Sequence, residues 1–122
     1  GRCRFMGFVA RFGEWAVYHS GDTMLYEGMA DLLAPFRVDL ALLPINGRRP
    51  ERRVAGNLWG DEAAQLARDI GAGMAIPCHY DMFEFNTESP QQFIEACEKI
   101  DQPCQVLENG GRWVRAGQRT GR

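Results

Sequence analysis

Asp22 sits in the turn-forming run Ser20-Gly21-Asp22-Thr23, and His79 in Pro77-Cys78-His79-Tyr80-Asp81. Both follow short apolar stretches, so both fall where a strand gives way to a loop, the usual place for functional groups in layered folds. A short carboxylate in such a turn can bind a divalent cation or bridge two of them. A neutral imidazole is the commonest metal ligand. One Asp with one His suits zinc, manganese or iron, and water bound to such an ion is acidified toward neutrality. Asp22 and His79 are therefore the candidate metal ligands and, through that water, the candidate catalytic residues. Taken singly, a Gly-Asp turn reads as an Asx-turn and a His after a strand as a structural hydrogen-bonded residue.

Other groups gather near these two. Arg48, Arg49, Arg52 and Arg53 crowd the loop over residues 45–56. Guanidinium matches phosphate or carboxylate bidentately, which makes Arg48 and Arg49 candidate substrate ligands; the alternative is a solvated loop that keeps the protein soluble. Asn46, at the end of an apolar run, is a candidate for hydrogen bonding to substrate or for a turn. Tyr80 is a candidate for the pocket wall beside His79. Cys78 and His79 are neighbours on an extended segment and point opposite ways, which argues against a nucleophilic pair. The cysteines Cys3, Cys78, Cys97 and Cys104 form no CxxC pair. They read as reduced, partly buried thiols of a cytoplasmic protein rather than as a zinc ribbon.

The elements that carry these residues follow from periodicity. Residues 4–12 and 15–19 are apolar, aromatic and β-branched runs around Gly13-Glu14, a hairpin pattern. Met29, Leu32 and Leu33 form the stripe of a short helix over residues 28–34, closed by Pro35. Residues 38–43 are a short apolar strand. Ala63, Leu66, Ala67 and Ile70 fall on one face of a helix over residues 59–70 that Gly71 ends. Residues 74–77 form another strand. Pro90 opens a helix running to residue 100, with Phe93, Ile94 and Cys97 facing inward. The run Glu108-Asn109-Gly110-Gly111 predicts a turn joining two last strands, 104–107 and 112–115. Trp15, Trp59 and Trp113 are expected as core or interface anchors. Strands alternating with helices give an α/β layered fold over residues 1–115, with a loose polar tail at 116–122.

Composition closes off several functions. A net charge of −2 argues against broad nucleic-acid binding. No stretch approaches the ~20 apolar residues of a membrane span, and no signal-peptide pattern opens the sequence.

In order along the chain, Val17-Tyr18-His19-Ser20-Gly21-Asp22-Thr23, the strand ending Pro44-Ile45-Asn46-Gly47, and Ile76-Pro77-Cys78-His79-Tyr80-Asp81 resemble the later motifs of metallo-β-lactamase-fold hydrolases. The ascorbate-6-phosphate lactonases, with a similar Pro-Cys-His segment, are the most similar branch. The resemblance spans residues 5–114. It implies that Asp22 matches the metal-bridging aspartate, that His79 matches the last histidine ligand, and that His19 matches a position that is not normally a ligand, so that it is structural or supports a ligand from behind. It also implies an αββα sandwich of two halves, of which this chain is the second: one mixed sheet with helices on one face. The family's His-x-His-x-Asp-His cluster is missing, since the sequence has two histidines.

The expectation is a metal-dependent hydrolase (lactonase, esterase or phosphoesterase) using zinc or manganese on a small-molecule substrate, inactive as an isolated half. The rival expectation is a non-catalytic, self-associating half-domain or small-molecule binding module. Either way the uncovered face predicts a homodimer or pairing with a missing N-terminal half.

Overall fold

The computed structural model describes residues 6–115. Phe8–Phe12 (β1) and Trp15–His19 (β2) form an antiparallel hairpin, Phe12 opposite Trp15. Gly13, at φ 60°, takes the first corner position, where this tight connection needs a left-handed residue. Residues 4 and 5 of the expected first strand, Cys3, and the tail at 116–122 lie outside the described residues.

From β2 the chain crosses over through helix α1 (Met29–Leu33) and a 3-10 turn at Ala34–Phe36 to β3 (Leu40–Pro44). Pro35 does not stop the chain at once: at the start of a helical turn its missing N–H is no loss. A second crossover, through a 3-10 turn at Pro50–Arg52 and helix α2 (Gly60–Asp69), leads to β4 (Met74–Cys78). Helix α3 (Gln91–Lys99) follows. The sheet order is β1-β2-β3-β4, with β2, β3 and β4 mutually parallel and β1 an antiparallel edge. This is the expected mixed sheet of an α/β layered domain.

The three helices share one face. Tyr18, Ala41, Leu43 and Ala75 from the strands pack with Met29, Leu33, Ala63, Leu66, Ala67, Ile70, Phe93 and Cys97 from the helices. The stripe predicted on α2 is the buried one, because its residues recur every three or four positions along one side. Leu32 departs from prediction at 61% exposed: α1 is five residues long, and Met29 and Leu33 already fill its inward side. Gly60 opens α2 against the start of α3, where a Cβ would lie 2.6 Å from the Phe93 nitrogen. A larger residue would force the helices apart.

Among the described residues no helix packs on the opposite face of the sheet. The register puts Phe8 beside His19 and Phe12 beside Trp15, and both phenylalanines are more than 60% exposed. Val17, Leu40, Leu42 and Met74 on the same face are half-buried. The Arg115 guanidinium stacks over Trp15 at 4.7 Å. All three tryptophans are partly covered, none fully buried.

The predicted last hairpin is not formed. Residues 105–115 hold no strand, and Cys104 makes a single parallel bridge to Ala75. The Glu108–Gly111 turn does close, with the Gly111 N–H on the Glu108 carbonyl at 2.7 Å. The Leu107 carbonyl accepts the Tyr80 hydroxyl.

Candidate metal centre

Parallel strands end at the same edge of a sheet, so β2, β3 and β4 deliver their following residues to one place. Asp22 follows β2, Asn46 follows β3 and His79 follows β4. His79 Nε2 lies 3.0 Å from Asp22 Oδ1, although 57 positions separate the two residues (79 − 22). Both side chains remain open to solvent, at 33% and 53% exposure. His79 has φ 57° and Asp81 φ 50°, two non-glycine residues in the left-handed region within one strand exit. Such backbone is costly and persists where the surroundings enforce it.

The imidazole's other nitrogen, Nδ1, is buried and has no hydrogen-bond partner among the described residues. With its proton on Nε2, the ring donates to Asp22. A divalent ion would need the other neutral tautomer, with the proton on Nδ1, and the two donor atoms turned to a common centre; their types and proximity fit that role. They supply two donors where a structural or catalytic zinc takes about four. Among the described residues no group of three or more His, Cys, Asp or Glu could hold an ion. His19, expected to be structural, accepts the Gly21 N–H on Nδ1 at 3.0 Å and so shapes the turn that carries Asp22.

A buried amide chain fastens the loops together. Thr23 N–H donates to Asn57 Oδ1 at 2.8 Å, Asn57 Nδ2 donates to Asn46 Oδ1 at 2.8 Å, and Asn46 Nδ2 donates to Asn86 Oδ1 at 3.0 Å. Asn46 and Asn57 are almost fully buried. The chain thus runs from the residue after Asp22 to the loop after His79. Sequence reading marked Asn46 but missed Asn57 and Asn86, because nothing local signals partners 34 and 40 positions away.

Three of the four loop arginines, Arg48, Arg49 and Arg52, are engaged within the protein. Arg48 forms a two-pronged pair with Glu62 at 2.7 and 3.1 Å. Glu62 also accepts the Trp59 N–H at 2.9 Å, so one carboxylate caps α2 and holds the loop. Its carboxyl is held below the usual range, chiefly by the Arg48 hydrogen bond. Arg49 donates to Glu88 at 2.8 Å and lies over the Trp59 ring. Arg52, with a side chain 5% exposed, donates to the same Glu88 at 2.5 Å and to the Asn46 and Thr87 carbonyls. Glu88 is likewise held below its ordinary range, first by Arg49 and then by Arg52.

Tyr80 packs on the core while its hydroxyl meets the Leu107 carbonyl. A groove of about 600 Å³ opens beside it, lined by Pro77, His79, Tyr80, Asp81, Met82 and Glu108, among others. No helix among the described residues is long and apolar enough to cross a membrane.

Residues 2–80 match the family model described as the beta-lactamase superfamily domain. The chain belongs to that superfamily. It is 32% identical to a UPF0173 metal-dependent hydrolase of Methanoculleus marisnigri over 91% of this chain and 46% of that protein. A protein of the same description from Methanosphaerula palustris is 37% identical over 86% of this chain and 45% of its own length. The fold is that of Igni18, a metallo hydrolase from Ignicoccus hospitalis, with a TM-score of 0.74 at 24% identity, covering 93% of this chain and 46% of that one. The architecture is therefore the metallo-β-lactamase fold. The chain spans about half the length of the relatives it matches.

Proposed function

We propose that this chain carries the Asp22–His79 part of a metal-dependent hydrolase site. The supporting observation is the 3.0 Å approach of His79 Nε2 to Asp22 Oδ1 at the shared strand edge. Asp22 would hold a cation by its carboxylate, and His79 by Nε2, with the ring proton carried on Nδ1. When bound, a zinc or manganese ion there supplies an acidified water for attack on a carbonyl carbon or phosphorus. The groove beside His79 takes the small-molecule substrate, with Tyr80 on its wall. Asp81 and Glu108 line it, so it suits a neutral lactone or ester better than a phosphoester. Arg48 and Arg49 reach an anionic group only by releasing Glu62 and Glu88.

Two donors do not make a working centre, so the isolated chain is inactive or nearly so, and its uncovered sheet face pairs with a second layer. In isolation that layer is another copy of the chain, giving a homodimer. A cytoplasmic setting suits the free thiols Cys78, Cys97 and Cys104. The test is a chimera joining this chain to the N-terminal half of one of its methanogen relatives, assayed on lactones, esters and phosphoesters with zinc or manganese. Metal-dependent turnover is expected, falling by about 100-fold or more, a barrier rise of ~2.7 kcal/mol, in Asp22→Ala and His79→Ala. A chimera that turns over substrate equally well with both substitutions would overturn the proposal.

A further inference from the structure

Four asparagines occur in the chain, and two of them, Asn46 and Asn109, are followed by glycine. An Asn-Gly pair is open to self-modification, because no side chain on the second residue shields its backbone nitrogen from the asparagine side-chain carbonyl. Asn57 precedes Leu58 and Asn86 precedes Thr87, whose side chains do shield it. The fold treats the two Asn-Gly pairs in opposite ways.

Asn46 is 1% exposed. Its Oδ1 accepts from Asn57 at 2.8 Å and its Nδ2 donates to Asn86 at 3.0 Å. The Gly47 nitrogen, which would be the attacking atom, donates its N–H to the Leu58 carbonyl at 2.9 Å. Both reacting groups are therefore held apart in the packed loops. Asn109 stands instead in the Glu108–Gly111 turn, where all four residues are exposed. The turn closes through the Gly111 N–H, so its own hydrogen bond leaves the Gly110 nitrogen out. Gly110, third in the turn, takes φ 81°, the conformation of a type II turn. Asn109 also lines the groove beside His79, together with Asp81 and Glu108.

We propose that Asn109 is a site of spontaneous deamidation in the folded protein, and that the fold protects Asn46 from the same reaction. The Gly110 nitrogen gives up its proton to hydroxide and attacks Cγ of Asn109. A new N–Cγ bond forms, the Cγ–Nδ2 bond breaks, and the amide nitrogen leaves as ammonia after taking a proton from water. Water then opens the resulting succinimide. Cleavage at Cγ gives a normal aspartyl residue, and cleavage at the main-chain carbonyl gives an isoaspartyl residue. The balance is one water consumed and one ammonia released, with no change of oxidation state. Either product places a new carboxylate at a groove that Asp81 and Glu108 already line. The isoaspartyl form also lengthens the backbone of the turn that follows Leu107, whose carbonyl holds the Tyr80 hydroxyl. The covalent change stands by itself; its effect on substrate, a weaker hold on anions, rests on the reading of this groove given above.

The test incubates the intact chain in mildly alkaline buffer at growth temperature and follows it by tryptic peptide mapping and anion exchange. Trypsin places Asn46 and Asn109 on separate peptides, residues 38–48 and 100–112. In the folded chain the second peptide should convert about 10-fold or more faster than the first, because reaction at Asn46 waits on local opening. Its products should include the isoaspartyl form, and the whole chain should gain negative charge. In urea the two peptides should convert at similar rates. Asn109→Gln, whose longer side chain closes the ring far more slowly, should gain no charge over the same period. The proposal is overturned if Asn109 keeps its amide in the folded chain for as long as urea needs to convert it, if Asn46 reacts as fast as Asn109 without denaturant, or if Asn109→Gln gains charge like the wild type.

Discussion

His79 leaves β4 in a left-handed conformation, with Nε2 toward Asp22 and Nδ1 buried and unpartnered. A residue so placed owes its orientation to its neighbours, and Asn46, at the exit of the adjacent strand, is tied in turn to the loop over residues 86–88. There Glu88 takes both Arg49 and the nearly buried Arg52. The Glu88 carboxyl is depressed below the usual range in the folded protein. The stability it contributes is therefore present above the unfolded carboxylate value and is lost as pH falls through the lower folded value. Glu88→Gln should cost about 1–3 kcal/mol at neutral pH, where Arg52 is left with a buried charge. Urea midpoints should then converge with the wild type on acidification. Parallel curves from neutral to acid pH would show that the pair contributes nothing to acid sensitivity.

At the scale of elements, the regular pieces were legible because burial writes a period into the chain. The α2 stripe at Ala63, Leu66, Ala67 and Ile70 and the short apolar runs of β2, β3 and β4 needed no distant information. The final hairpin failed for the converse reason. A Gly-rich turn signals reversal, whereas strands require a partner edge, and among the described residues only Cys104 finds one, in a single bridge to Ala75. The Asn57–Asn46–Asn86 chain was illegible because each hydrogen bond joins residues remote in sequence. Gly47, between β3 and α2, shows how tightly these loops close. It has φ 66°, and a Cβ there would lie 2.2 Å from the Trp59 ring. Gly47→Ala should destabilise the protein by about 2–4 kcal/mol, combining left-handed strain with overpacking. Denaturant unfolding measures this, and a loss under ~0.5 kcal/mol, the scatter of an ordinary surface change, would mean that Trp59 moves aside freely.

For the whole molecule, helices cover one side of the sheet and Phe8 and Phe12 lie open on the other. An apolar sheet face of this kind favours association. The homodimer proposed for the isolated chain should appear in sedimentation velocity at micromolar concentrations. Phe8→Lys with Phe12→Lys should return it to a monomer with unchanged circular dichroism. A wild-type monomer would contradict the pairing. The two-part architecture was legible from the ordered motifs at Asp22, Asn46 and His79 together with the shortage of histidines. Which group covers the open face was not, since a surface pattern specifies apolarity and not a partner.

The central claim is that Asp22 and His79 act as one cation-binding pair. Manganese titration followed by paramagnetic broadening of amide resonances tests it most directly, because it locates even weak binding. The account predicts that broadening begins in the segments around residues 20–24 and 78–82 and disappears in Asp22→Ala and in His79→Ala. Broadening centred elsewhere, or unchanged by both substitutions, would contradict it.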